Sequence, residues 1–143
     1  MTALPSTESE IDAFLDAFEG GKLPKDQWTH SAHLFTGACY VHMLGAAPAI
    51  ERMRVCIRHN NESVGTKNTD TGGYHETITI AWIKLLTRLL RESEPMERAA
   101  FARLAVERFA GDREIFKRYY SFDLVKSVEA RRTWIPPDLA AFN

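Results

Sequence analysis

Two cysteines among 143 residues cannot build a disulfide framework, so the thiols are expected to be reduced and the protein cytoplasmic. The charge is nearly balanced, 18 Lys+Arg against 19 Asp+Glu, which argues against a broad nucleic-acid-binding face. No apolar run is long enough to cross a bilayer, so no membrane partner is expected. The opening Met-Thr-Ala-Leu-Pro-Ser-Thr-Glu lacks the basic start and apolar block of a secretory signal. No segment alternates apolar and polar residues for long, which excludes a sheet-based fold. No Gly-x-Ser-x-Gly elbow is present, which disfavours a serine hydrolase. What remains is ordinary globular composition, 45% hydrophobic and 26% charged, at a length that suits one core.

The apolar spacing predicts an all-α, compact single-domain bundle of five to seven helices over 1–143, with an extended C-terminal tail. Thr7-Glu8-Ser9-Glu10 fits a capping box ahead of Ile11, Phe14, Leu15 and Phe18, and Gly20-Gly21 ends that helix. A second helix runs from about Thr29 to Leu44, with Gly45 as its stop. A third runs from about Ala47 to Asn60 with a buried stripe of Ile50, Met53 and Ile57. The polar stretch Glu62 to Gly73 is long enough to be a functional suspect, and Lys67, Asn68 or Asp70 could fold over a site as a lid. The fourth helix is expected from Tyr74 to about Glu92. It is apolar almost all round, so it is either central or covered by a second copy in a homodimer. Pro95 opens a fifth helix, Gly111-Asp112 breaks it, and Ser121 or Asp123 caps a last stretch through Val128. Trp134 anchors the tail.

Rotational phase separates the five histidines. At about 100° per residue, His30 shares a direction with Leu34, Val41 and Leu44, and His33 lies about 60° to one side. His75 falls beside the stripe of Ile78, Trp82, Leu85 and Leu89. His42 points away from the first pair, and His59 toward solvent. His30 and His33 have the i,i+3 spacing that lets two imidazoles chelate one ion. His75 from a facing helix would complete a three-histidine site with an open position for water or substrate. Zinc, nickel, iron or manganese would suit such ligands. No inward carboxylate joins them; Glu76 reads instead as the N3 partner of a Gly73 N-cap. The bland alternative is that the three histidines are metal-free polar core residues.

Other patterns carry less. Gly65-Thr66-Lys67 and Gly72-Gly73 lack Walker spacing. Cys39 sits mid-helix, where nothing lowers a thiol pKa, so Cys39 and Cys56 read as packing residues. The basic pairs near Lys117-Arg118 and Arg131-Arg132 are diluted by nearby acids. Trp28, Tyr40, Tyr74 and Trp82 are aromatics that could line a small-molecule pocket. Tyr74, Asn61, Trp28 and Thr79 are the candidate substrate contacts.

Trp28-Thr29-His30-Ser31-Ala32-His33-Leu34 and Gly73-Tyr74-His75-Glu76-Thr77 resemble two signature segments of a family of small uncharacterised bacterial proteins. Tyr119-Tyr120-Ser121 and Arg131 to Leu139 resemble the same family, so the likeness covers most of the chain. The architecture is also similar to DinB-like helical bundles, and that likeness implies a divalent metal on three helix-borne histidines. Two readings follow. The first is a helical bundle that binds a small molecule over a His30–His33–His75 metal and performs metal-assisted hydrolysis or a related step. The second is a non-enzymatic binding or interaction module, dimeric through the fourth helix.

Overall fold

The computed structural model describes residues 4–142; the first three residues of the opening segment lie outside it. The described chain is all-helical, in the order α1 (Glu8–Glu19), α2 (His30–Leu44), α3 (Ala46–Ser63), α4 (Glu76–Glu92), α5 (Arg98–Phe109) and α6 (Val128–Arg132). Short 3-10 turns at Lys25–Gln27 and Ile115–Arg118 lie in the connections. Among the described residues there is no strand, and no helix is long and apolar enough to cross a membrane.

The capping chemistry expected at α1 is present in both directions. The Thr7 hydroxyl accepts the Glu10 N–H at 3.2 Å, and the Glu10 carboxylate accepts the Thr7 N–H at 3.1 Å. Thr29 caps α2 by accepting the Ala32 N–H at 3.1 Å. Gly45 ends α2 and, at φ 84°, turns the chain straight into α3, which runs three residues past Asn60 to Ser63.

α2 is the axis of the bundle. It packs on α5, α4 and α3, and every residue from Leu34 to Val41 is buried. One core cluster joins Ile11 and Phe18 of α1 to Phe35, Met53, Leu86 and Phe101. A second joins Leu34, Trp82 and Leu85 to Ile115, Tyr120, Leu124 and Phe142. α2 and α4 serve both clusters, which is why neither shows a simple one-sided stripe. Gly37 permits their close approach: a Cβ there would lie 3.0 Å from Leu86 Cδ1.

The apolar second face of α4 is therefore covered within the chain. Ile80, Ala81, Trp82, Ile83, Leu85, Leu86 and Leu89 are all buried. The central position expected as one option holds, and the face assigned to a homodimer is already used. The C-terminal segment completes the cover. Thr77 Oγ1 donates to the Thr133 carbonyl at 2.7 Å and accepts the Ile135 N–H at 3.0 Å, while Tyr120 donates to the Ile135 carbonyl at 2.7 Å. Trp134 is only half-buried; Phe142 is the deeper anchor, in contact with Tyr119 and Tyr120.

The ends of the later helices differ from the sequence reading. α4 starts at Glu76, not Tyr74, and α5 at Arg98 with Glu97 as N-cap. Ser127, not Ser121 or Asp123, caps α6 by accepting the Ala130 N–H at 3.1 Å. Asp123 and Ser121 are engaged elsewhere, Asp123 with the Lys126 N–H and Ser121 with Asp138.

Asn60 ties the α1–α2 connection to α3. Its side chain accepts the Leu23 N–H at 3.0 Å and donates to the Leu23 carbonyl at 3.1 Å, and it is 1% exposed. Asn60→Ala would leave both buried backbone groups of Leu23 without partners, so stability should fall by about 2–3 kcal/mol. Urea unfolding of the two proteins measures it; a difference under about 0.5 kcal/mol would show the latch to be idle.

Candidate functional site

A cavity of about 410 Å³ opens where the start of α2, the end of α3 and the start of α4 meet. Trp28, His33, Asn61, Tyr74, His75 and Thr79 all line it, together with Ile57, Val64, Thr66, Ile78, Lys25 and Arg131. That size and mix of apolar wall with a few polar groups is ordinary for a small-molecule site. All four expected substrate contacts are thus on one wall system. His30 is not in the lining.

Each histidine has a distinct setting. His33 lies in an aromatic stack: Phe18 is parallel to Trp28 at 4.6 Å between centroids, and Trp28 lies 5.1 Å from the His33 ring. The residue lines the cavity and is partly exposed, but its Nε2 is sealed from solvent and has no hydrogen-bond partner among the described residues. Burial, and then the nearby His30, push its pKa down to about 4, so it is a neutral imidazole at pH 7. His30 packs against Trp82 at 5.7 Å and has an unpartnered buried Nε2 as well. Burial first, and Arg113 second, lower its pKa from the ordinary imidazole value.

His75 is committed at both nitrogens. It is the N-cap of α4: Nδ1 accepts the Ile78 N–H at 3.1 Å. That leaves the proton on Nε2, which donates to the Leu124 carbonyl at 2.9 Å. Burial lowers its pKa, against the opposing pull of the Leu124 carbonyl. His75 therefore shares the cavity with His33 but has no free ligand atom to give. Among the described residues, no three His, Cys, Asp or Glu side chains are placed to hold a metal ion. The expected three-imidazole set fits only in part, since His30 and His33 keep free nitrogens and His75 does not. His42 and His59 stand apart, as their phases require. His42 is bonded to the Met96 carbonyl at 2.7 Å, and His59 is exposed.

Glu76 does not cap. As the first residue of α4 it receives Arg54 through Nε at 3.0 Å and Nη2 at 2.8 Å, and the Tyr74 hydroxyl at 2.5 Å. Burial would raise its pKa, but Arg54 and Tyr74 outweigh this and hold it below the usual carboxylate value. The network fixes Tyr74 on the cavity wall. Gly73, expected as the N-cap, instead makes a tight turn at φ 79°. A Cβ there would meet the Lys67 carbonyl oxygen at 2.5 Å.

The 64–75 loop is tied down at its centre. Asn68 Oδ1 accepts the Asn61 side-chain amide and the Tyr74 N–H, each at 3.0 Å, and its Nδ2 donates to the Arg58 carbonyl. Asp70 pairs with Arg132 outside the cavity. Of this loop, Val64, Thr66, Gly73, Tyr74 and His75 line the cavity; Lys67, Asn68 and Asp70 do not. Thr79 also spends its hydroxyl locally, on the His75 carbonyl at 2.8 Å. Tyr40, grouped with the pocket aromatics in the sequence reading, is buried in the core and donates to Glu19 at 2.6 Å. The sequence assigns Lys25 no role and reads Arg131 as part of a diluted basic surface, yet both line the cavity. Arg131 is brought in only by the C-terminal return of the chain, for which no local pattern exists.

No protein-family model, no curated protein and no solved structure matches the chain.

The buried neutral imidazole has a measurable consequence. The folded pKa of about 4 lies below the unfolded value near 6.5, so the unfolded chain binds the extra proton first as the pH falls. Its contribution is full above pH ~6.5 and is lost as the pH falls toward ~4, about 3 kcal/mol in all. Urea unfolding should therefore lose about that much more between pH 7 and 4 in the wild type than in His33→Phe. Parallel pH profiles would show that His33 protonates freely in the fold.

Proposed function

We propose that the protein binds a small molecule in the cavity between α2, α3 and α4. The observation that carries this reading is His33, a wall residue whose buried Nε2 has no partner among the described residues. A buried imidazole nitrogen left unpaired is costly, and such exceptions call for a reason. The terminal torsion of histidine is broad, so a bound ligand can draw the ring toward it and supply the missing hydrogen bond. The surrounding wall suits a compact apolar body. Trp28 is fixed by its stack on Phe18, and Tyr74 by Glu76. Asn61 is oriented by Asn68, which uses its amide N–H and leaves the carbonyl oxygen for a ligand.

Catalysis is a further step within this reading. A neutral His33 could accept a proton from a bound substrate, but a base with a pKa near 4 is weak at neutral pH. Binding is therefore the primary function proposed, with His33 as the polar contact.

A second reading keeps the divalent metal. The two unpartnered Nε2 atoms of His30 and His33, one helical turn apart, favour it. Two imidazoles would hold the ion, and substrate or water would fill its other positions. The two readings separate on tag-free protein. Stoichiometric zinc, nickel, iron or manganese, with a melting temperature that falls on adding chelator, would favour the second.

For the first, amide spectra of the ¹⁵N-labelled protein should be followed as neutral and charged aromatic fragments are added at millimolar concentration. Shifts should concentrate at Trp28, His33, Asn61 and Tyr74. Val64→Trp, which fills the cavity wall, should weaken binding at least about tenfold with the fold intact. Fragments that shift no cavity residue, or that bind Val64→Trp equally well, would overturn the reading.

A further inference from the structure

The cavity has an uneven charge. Lys25 and Arg131 line it, and no Asp or Glu does. Neither cation is in an ion pair with any described residue. Of the twelve arginines, Arg52, Arg54, Arg88, Arg98, Arg118 and Arg132 are each paired with a carboxylate, and Arg131 is one of the six with no such partner among the described residues.

Arg131 is held rather than free. Nη1 donates to the Gly73 carbonyl at 3.0 Å and the Tyr74 carbonyl at 3.3 Å, and Nη2 to the Val125 carbonyl at 3.3 Å. These acceptors fix the plane of the guanidinium without neutralising it. A guanidinium has five N–H donors, and these three bonds leave two of them open. The side chain is half-buried, where a charge is screened less than on an open surface. A neighbouring cleft shares Tyr74 and Arg131 with the cavity; beside the Arg54–Glu76 and Arg132–Asp70 pairs it adds Arg58, whose guanidinium lies 5.4 Å from the Tyr74 ring centre. Arg58 likewise is in no ion pair with a described residue, although its charge helps hold the Glu76 carboxyl below its usual value. The Arg131 side of the cavity therefore carries surplus positive charge, while Trp28, Ile57 and Ile78 supply apolar wall.

We propose that the cavity takes a small organic anion, its apolar body among Trp28, Ile57 and Ile78 and its carboxylate or phosphate turned to Arg131 and Lys25. This rests on the reading of the cavity as a small-molecule site and names the ligand's chemical class. A pre-oriented guanidinium with open donors suits a planar or tetrahedral oxyanion better than a neutral acceptor, because charge-assisted hydrogen bonds are the stronger ones. His33, neutral at pH 7, adds a polar contact without adding charge.

Three probes of one shape test it by calorimetric titration at low salt: 1-naphthoate, 1-naphthyl phosphate and the neutral 1-naphthamide. At least one acid should bind about tenfold more tightly than the amide, and which acid wins identifies the head group. The preference should shrink in Lys25→Gln and in high salt, and vanish in Arg131→Gln, while amide binding persists. If Arg131→Gln does not fold, Lys25→Gln and the salt series decide. Equal binding of all three probes would overturn the anion class and leave the cavity reading standing. An acid preference that survives unchanged in Val64→Trp would also overturn it, by placing the anion elsewhere. Binding of none of the three to folded protein would bring down the cavity reading and the anion class together.

Discussion

The structure depends on burying one helix from every side. From Leu34 to Val41, α2 has no exposed residue, and α3, α4 and α5 all pack against it. Such a helix satisfies its own backbone but offers its side chains no water. Apolar residues gain from this. Three polar residues of its first two turns do not: His30, His33 and Thr36 each carry a buried polar atom with no partner among the described residues. Of the three, His33 lines the cavity. The same constraint favours Gly37, since a Cβ there would press on the Leu86 side chain at 3.0 Å, tighter than ordinary contact.

The site is assembled from segments far apart in sequence, and its rigidity comes from small polar latches. Asn60 binds both backbone groups of Leu23, Asn68 gathers Asn61, Tyr74 and the Arg58 carbonyl, and His75 joins the start of α4 to Leu124. Each replaces water on a backbone group that the fold would otherwise strand. Arg131 performs the same task for the turn at Gly73 and Tyr74, yet it alone of these latches brings a full charge.

Much of this was legible in the sequence, and the misses have physical causes. The capping box at Thr7 and Glu10, the Thr29 cap and the Gly45 stop were readable because each uses short-range chemistry. The all-round apolar character of α4 announced its central place. The convergence of Trp28, His33, Asn61, Tyr74, His75 and Thr79 on one cavity was also in reach, because helix phase and loop position suffice for it. The role of His75 was not. Its spacing fits a ligand equally well, and only the tertiary position of Leu124 and its capping of Ile78 commit both nitrogens. Glu76 was misread for a related reason: Gly73 with Glu76 three residues on mimics a capping box, while the real partner, Arg54, lies on α3. Phase was a weak guide on α2 itself, because a helix buried all round has no single core direction.

The second core cluster has an order of completion written into the chain. Leu34 and Trp82 emerge in synthesis before Tyr120, Leu124 and Phe142, which cover them. Until those residues leave the ribosome, one flank of α2 and α4 has nothing to lie against. A nascent chain stopped short of residue 142 thus displays Trp82 and Leu85 to whatever surface is near.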